Sequence, residues 1–206
     1  MAKLYFKYGA MGSSKTAQAL ITKFNYEERG MKVWLIKPSA DTRYGSSTIR
    51  SRIGIEGVAD NIGPDTDVLA RFLDIAPAGL DVVIADECQF FEEKHIDDLR
   101  TIVDDYGVPV LCFGLRTDFR TRMFPGSSRL FELADSITEI KTICECGLKA
   151  IVNARLDSDG RITTIGNQVY LGGNESYVAM CHRCWKRKVR EQTKLPKQSE
   201  QPGPVK

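Results

Sequence analysis

The feature of this sequence that most constrains its fold is the stretch from Leu4 to Thr16. An apolar run, LYFKY, is followed by small residues and ends in Lys15-Thr16. This order predicts a strand, a tight loop and the start of a helix. Such loops bind phosphate because successive backbone N–H groups point inward, the helix N-terminus adds positive potential, a lysine reaches the outer phosphates and a hydroxyl binds magnesium. We call residues 9–16 the phosphate loop.

The phosphate loop departs from the usual pattern at one position. In the pattern G-x-x-x-x-G-K-[ST], Gly9 is the first glycine, but Ser14 occupies the place of the second. A residue with a Cβ is expected there only if its backbone is already helical, in which case Gly12 and Ser13 would form the tight turn. The alternative interpretation is a plain loop with an N-cap before a helix. The loop alone leaves both interpretations open.

The composition predicts a soluble globular protein. The chain has 206 residues, 42% hydrophobic and 27% charged, which suits one large domain or one domain with a small appendage. Its net charge of +2 does not indicate a nucleic-acid partner, and we interpret the basic stretch 183–190 as a solvated tail. The apolar stretches are too short for a membrane span and the first residues lead directly into a strand, so we expect a cytoplasmic protein.

Hydrophobic periodicity predicts an α/β fold. Ala17, Leu20, Ile21 and Phe24 follow the helical spacing i, i+3, i+4, i+7, and an apolar strand at 33–36 comes next. A strand, a helix and a strand in this order form a βαβ unit with parallel strands. Further apolar strands are predicted at 81–85, 108–113 and 136–141. The expected fold class is therefore a P-loop parallel sheet flanked by helices.

Two adjacent carboxylates, Asp86 and Glu87, end the buried strand predicted at 81–85. In P-loop enzymes an acid at this place orients magnesium, often through its water shell, and a neighbouring carboxylate can serve as a base. Alternatively, the two acids cap a helix predicted for 90–106. Two phosphate-site signals in this order favour the enzyme interpretation.

Two more loops follow strand ends, where α/β sheets place their ligands. Loop 41–48 is polar, and loop 114–124 combines three arginines with two phenylalanines, a mixture suited to stacking a base and neutralising phosphate. Each is alternatively an ordinary surface loop. Cys88 and Cys112 are expected to be buried and inert.

The remaining cysteines form two closely spaced pairs, Cys144 with Cys146 and Cys181 with Cys184. In a reducing compartment, paired spacings point to metal, and four thiolates would make a tetrahedral structural zinc site. Free buried cysteines are the alternative, and His182 is a substitute ligand. Strand-like segments at 150–156 and 161–170 lie between the pairs. We therefore expect three regions: a nucleotide-binding domain at 1–142, a small zinc-ribbon-like lasso domain at 143–191, and a disordered tail at 192–206.

Taken together, these motifs resemble the type II thymidine kinases over about residues 3 to 190. The marks of the resemblance are the phosphate loop, DTRY at 41–44, DECQFF at 86–91, GLRTDF at 114–119, GGNESY at 172–177 and the four cysteines. The resemblance implies transfer of the γ-phosphoryl group of ATP, with Mg²⁺, to the 5′-hydroxyl of thymidine for nucleoside salvage. It also implies a homotetramer inhibited by thymidine triphosphate, with no nucleic-acid or membrane partner.

The resemblance also implies roles for individual residues. Glu87 would be the general base, and thymine would lie near Phe119, Phe124 and Tyr177. The implied nucleotide site comprises Gly9, Ala10, Met11, Gly12, Ser13, Ser14, Lys15, Thr16, Asp86, Glu87, Cys88 and Gln89. The implied thymidine site comprises Asp41, Arg43, Phe119, Phe124, Val169, Tyr170, Leu171, Gly172, Gly173 and Tyr177. The implied zinc ligands are Cys144, Cys146, Cys181 and Cys184.

Two other classes of function compete with the kinase. One is a P-loop ATPase that binds nucleic acid through its zinc ribbon and the basic stretch 183–190. The other is a nucleotide sensor without catalysis, which would not require Glu87. Because the presumed thymine contacts lie between the cysteine pairs, loss of zinc is expected to weaken thymidine binding and to leave ATP affinity nearly normal.

Overall fold

The computed structural model describes residues 1–45, 47–168 and 176–194, with the side chain of Lys194 excepted. The helices are α1 (Lys15–Glu27), α2 (Val68–Ile75), α3 (Glu93–Tyr106), α4 (Pro125–Leu133) and α5 (His182–Lys194). The strands are β1 (Leu4–Tyr8), β2 (Val33–Pro38), β3 (Thr48–Arg50), β4 (Glu56–Val58), β5 (Asp60–Ile62), β6 (Val82–Ala85), β7 (Val110–Gly114), β8 (Ser136–Glu139), β9 (Val152–Leu156), β10 (Ile162–Thr163) and β11 (Tyr177–Met180).

A six-stranded parallel sheet forms the centre of the fold. Its strand order is β5-β2-β6-β7-β1-β8, and every neighbouring pair runs parallel. Because successive side chains of a strand point to opposite faces, Trp34 and Ile36 pack on the side of α2, α3 and α4, whereas Leu35 packs on the side of α1. The predicted α/β class with helices flanking a parallel sheet is confirmed.

The packing of α1 differs from the predicted stripe. Ala17 and Leu20 are buried as expected, but Ile21 and Phe24 are 45% and 61% exposed. The helix lies against the sheet through Ala19 and Leu20, so its contact face is rotated away from the stripe that the apolar spacing indicated. The periodicity located the helix correctly and its buried face only in part.

The carboxyl ends of the parallel strands bring the candidate residues to one edge of the sheet. The phosphate loop follows β1, Asp86 and Glu87 follow β6, and β7 lies between these two strands. A hydrogen bond from Gly9 N to Gly114 O, 3.2 Å long, joins the ends of β1 and β7. A Cβ on Gly9 would lie 2.3 Å from the backbone oxygen of Ile140, which explains the glycine at this position.

The cysteine-rich part forms a second, smaller sheet with strand order β10-β9-β11, antiparallel throughout. Strand β10 has two residues, far fewer than the segment predicted at 161–170, and β11 was not predicted. The basic stretch 183–190 is not a tail as expected but part of α5, because Trp185 and Val189 pack against the hydrophobic cluster of this sheet. Helix α5 also continues through 192–194, residues that the sequence had placed in the tail.

Among the helices within the described residues, none is both long and apolar enough to cross a membrane.

Candidate active site

The phosphate loop uses two left-handed backbone positions. Gly12 has φ 76°, and Ser14 has φ 62° and ψ 26°. The expectation that a residue with a Cβ is allowed at this position only with a helical backbone is therefore wrong. A left-handed conformation costs a residue with a Cβ roughly 1–2 kcal/mol, and the rest of the loop must hold it. Ser14 O accepts a hydrogen bond from Gln18 N at 3.0 Å, so the loop passes directly into α1.

Lys15 is buried inside the phosphate loop. Its Nζ donates to the backbone oxygens of Gly9 at 3.1 Å and Ala10 at 3.0 Å, and to Ser13 Oγ at 3.3 Å. Burial lowers the pKa of Lys15, and the negative charges of Glu87 and Asp86 oppose that shift. The ammonium group is thus held at the centre of the loop, where the outer phosphates of a nucleotide would bind.

Asp86 and Thr16 form a pair across the sheet edge. The Thr16 hydroxyl donates to the Asp86 carboxylate, which is buried. Burial, followed by the charge of Glu87, raises the pKa of Asp86 to about 7. A hydroxyl beside a carboxylate is an oxygen donor set of the kind that magnesium prefers, and a cation would compensate the buried negative charge. The two residues therefore fit a magnesium ion.

Glu87 is held from both sides. Its Oε2 accepts from Gln89 Nε2 at 2.5 Å, and its Oε1 accepts from the Arg43 guanidinium. Arg43 Nε also donates to Asp41 Oδ1 at 2.7 Å, so this arginine links the loop after β2 to the acid after β6. Burial alone would raise the pKa of Glu87, but Arg43 and Lys15 outweigh it and leave this pKa below its usual value. Glu87 is therefore ionised and oriented.

Lys37, at the end of β2, fixes the loop that carries Arg43. It is fully buried, and its Nζ donates to the backbone oxygens of Asp41 at 2.8 Å, Gly45 at 2.7 Å and Thr48 at 3.1 Å. Three bonds use all three ammonium protons. Sequence reasoning overlooked Lys37, although a lysine in the apolar strand VWLIKP was an available signal.

Replacing Lys37 with methionine is expected to lower the free energy of unfolding by about 2–3 kcal/mol, because one buried and two partly buried carbonyls lose a charged donor. Turnover should fall as well, since Arg43 is no longer held beside Glu87. Urea unfolding and steady-state kinetics measure both effects. Lys94→Met, at a side chain that is 51% exposed, is the control. Equal stability of the two variants would contradict the role assigned to Lys37.

One open cleft, with a cavity volume of about 160 Å³, is lined by the phosphate loop, Arg43 and the acid pair. Its walls come from the phosphate loop, the segment after β2, the acid pair and the loop after β7. Of the residues predicted for the thymidine site, Asp41, Arg43, Phe119, Phe124 and Tyr177 line this cleft.

Other predicted site residues have different positions. The side chain of Cys88 is fully buried, as is Cys112, which agrees with their expected burial. The predicted thymidine contacts Val169, Tyr170, Leu171, Gly172 and Gly173 lie outside the described residues. Phe119 is buried with the Arg155 guanidinium 4.0 Å from its ring centroid, and Phe124 meets Phe90 edge-on at 5.5 Å. The cleft-lining residues that sequence reasoning missed include Arg52, Asn153 and Gln168.

The four paired cysteines converge on one point. Their sulfur atoms all lie within 4.8 Å of one another, and Cys146 Sγ is 3.6 Å from Cys181 Sγ. Tetrahedral zinc with Zn–S bonds of ~2.3 Å would place its sulfurs about 3.8 Å apart. Burial raises the pKa of Cys144, but the N–H groups of Cys146 and Cys181 lower it to about 7. The cluster is compatible with zinc, and among the described residues His182 is not part of it.

The fold and the cleft together define a class of protein. A parallel sheet, a phosphate loop that ends in Lys15-Thr16 and an acid pair on a nearby strand characterise the P-loop nucleotide-binding proteins. An ionised, oriented carboxylate, that of Glu87, lies beside this loop.

Comparison with known proteins gives the family. The sequence model described as "Thymidine kinase" matches residues 2–185. The thymidine kinase of Ruegeria pomeroyi is 46% identical over 187 residues, which cover 90% of this chain and 94% of the relative. The thymidine kinase of Legionella pneumophila strain Lens is 46% identical, covering 91% and 90%, and that of Yersinia pseudotuberculosis is 41% identical, covering 92% and 97%. The chain belongs to the thymidine kinase family, and the resemblance seen in the sequence is confirmed.

Proposed function

We propose that this protein is an ATP-dependent thymidine kinase, which transfers the γ-phosphoryl group of ATP to the 5′-hydroxyl of thymidine and forms thymidine monophosphate. The observation that carries the proposal is the convergence of Lys15, the Thr16–Asp86 pair and Glu87 in one cleft of a chain that belongs to this family.

Each group has a distinct part in the reaction. The Lys15 ammonium exchanges the loop carbonyls for the outer phosphates of ATP. Thr16 and Asp86 would hold magnesium, which would neutralise charge on the phosphate oxygens. Glu87 accepts the proton of the attacking hydroxyl, and Gln89 and Arg43 keep its two oxygens in place. Positioning and electrostatic stabilisation supply most of the catalysis in this reaction type.

The nucleoside is expected to bind against the loop after β7. Phe119, Phe124 and Tyr177 line the cleft, and the segment 169–173 is proposed to supply the remaining contacts to the base. Asp41 and Arg43 also line the cleft, and they are proposed to lie near the group to be transferred.

The test of the proposed function is incubation with labelled ATP and Mg²⁺, with thymidine, deoxyuridine, deoxycytidine or no nucleoside added. A kinase produces labelled nucleoside monophosphate with thymidine and hydrolyses little ATP without it. Rapid hydrolysis without nucleoside would favour an ATPase, and ATP binding without turnover would favour a sensor. Either result would overturn the proposal.

We further propose a cytoplasmic homotetramer that is inhibited by thymidine triphosphate and has no nucleic-acid partner. The family resemblance supports these properties. The division into a nucleotide-binding domain at 1–142, a zinc-binding domain that begins at 143 and ends with α5, and a tail after α5 is also part of the proposal. Light scattering with and without thymidine triphosphate, together with inhibition assays, tests the assembly and the inhibitor.

Zinc is proposed as a structural ion that the four cysteines close off from water. Replacing Cys181 with serine is expected to release zinc, destabilise the protein and weaken thymidine binding by at least tenfold, because β11 ends directly before this ligand. Metal analysis and thymidine titration measure the change. Cys112→Ala is the control, since this cysteine is equally buried but lies outside the cluster. Less than half an equivalent of zinc in fully active wild-type protein would contradict the proposal.

A further inference from the structure

A single buried amide joins the cysteine-rich sheet to both parts of the cleft. Asn153 lies on β9, the central strand of that sheet, and is 3% exposed. Its Oδ1 accepts a hydrogen bond from Met11 N of the phosphate loop at 2.7 Å. Its Nδ2 donates to Thr117 O, in the loop after β7, at 3.0 Å. The same side chain therefore contacts the two loops that face the two substrates.

Each end of this link reaches a functional element. Met11 directly precedes Gly12, whose φ of 76° forms the tight turn of the phosphate loop. Thr117 is two residues before Phe119, which lines the cleft and is a predicted thymine contact. Strand β9 pairs with β11, and Asn153 lies opposite Ala179, two residues before the zinc ligand Cys181. The cysteine-rich sheet is thus connected directly to the phosphate loop through the side chain of Asn153.

The chemistry of the site suits asparagine. The position needs one acceptor for an N–H and one donor for a carbonyl, and a neutral side-chain amide offers both. Aspartate would set a carboxylate oxygen against Thr117 O, and leucine, of similar size, would leave both backbone groups without their partners. Asn153 does not belong to the phosphate loop, the acid pair or the predicted nucleoside contacts.

We propose that Asn153 is a positioning residue that couples the two substrate sites. When a nucleoside settles against the loop after β7, Thr117 is fixed, and Asn153 then holds Met11 in the conformation that binds ATP. Apparent affinity falls with the fraction of protein in the competent conformation, so fixing that loop raises ATP affinity. The inference rests on the proposed function, since it takes the nucleoside to be thymidine.

The coupling has a consequence for the zinc site. From the sequence, loss of zinc was expected to leave ATP affinity nearly normal. With Asn153 bridging β9 and Met11, we instead expect disorder in the cysteine-rich sheet to weaken binding at the phosphate loop as well.

The experiment compares wild type with Asn153→Leu. A non-hydrolysable ATP analogue with Mg²⁺ is titrated by calorimetry with and without saturating thymidine, and hydrogen exchange is followed in residues 9–16. We expect thymidine to tighten analogue binding at least fivefold in wild type and less than twofold in the variant, within the usual range of allosteric coupling. Exchange at Met11 should be faster in the variant. Asn61→Leu, at an exposed edge-strand position, is the control.

The outcomes separate coupling from a general structural role. Weaker binding of both ligands with an unchanged coupling factor would overturn the proposal, and so would the absence of coupling in wild type. If Asn153→Leu does not fold, Asn153→Ala removes the same two hydrogen bonds with a smaller side chain and takes its place. A wild type that makes no thymidine monophosphate would overturn the proposed function, whereas the exchange rate of Met11 tests the Asn153 link independently.

Discussion

Replacing Glu87 with glutamine is expected to lower turnover roughly 10²–10⁴-fold, with a much smaller change in the affinity for either substrate. Glutamine keeps the size of the side chain and still accepts a hydrogen bond from Arg43, but it cannot take the proton of the attacking hydroxyl. The affected quantity is the rate of the chemical step. Single-turnover kinetics at saturating ATP and thymidine, with separate binding titrations, distinguish this rate from binding.

Two further variants make the Glu87 result specific. Glu28→Gln, at an exposed position after α1, should be indistinguishable from wild type. Asp41→Asn keeps Glu87 but weakens the anchor of Arg43, so it should lose less activity than Glu87→Gln. A Glu87→Gln enzyme with more than a tenth of wild-type turnover would assign this carboxylate a structural role.

Replacing Lys15 with alanine is expected to reduce phosphoryl transfer to the background of the assay. The ammonium group is the positive side chain at the centre of the phosphate loop, and its loss leaves the β- and γ-phosphates without that charge. Lys15→Arg should fail as well, because a planar guanidinium does not reproduce a compact ammonium with three rotatable protons. The measurements are turnover and binding of a non-hydrolysable ATP analogue.

The Lys15→Ala protein should remain folded and bind thymidine. Lys23→Ala, at a partly exposed site on the same helix, is the matched control and should keep full activity. Near-normal turnover of Lys15→Ala at saturating ATP would show that residues 9–16 do not bind the phosphates.

The sequence predicted the elements whose signals are local. The phosphate loop, the acid pair after β6 and the apolar parallel strands are encoded in continuous segments, and all of them lie where the α/β interpretation required. The wrong prediction for the backbone of Ser14 also has a local cause. The preference of left-handed positions for glycine is a cost of roughly 1–2 kcal/mol, which hydrogen bonds elsewhere in a folded loop can offset.

Contacts between distant segments were not predictable in the same way. Asn153 is 142 positions from Met11, and no local pattern in the sequence pairs the two. Lys37 looks like an ordinary lysine in the sequence, and only the structure shows that it is buried and donates hydrogen bonds to three carbonyls. In α5, six Lys and Arg residues concealed the weak apolar spacing of Trp185 and Val189, which contact the neighbouring sheet.

The left-handed backbone at Ser14 and Glu87 also limits how this enzyme can be made more heat-resistant. Both residues have positive φ without being glycine, at 62° and 51°, and both line the cleft. Glycine at position 14 would relieve the strain and restore the usual loop pattern. Glycine at position 87 would relieve the strain there too, but it would remove the carboxylate that is the proposed base. Stability gained at one of these two positions is therefore compatible with catalysis, and stability gained at the other is not.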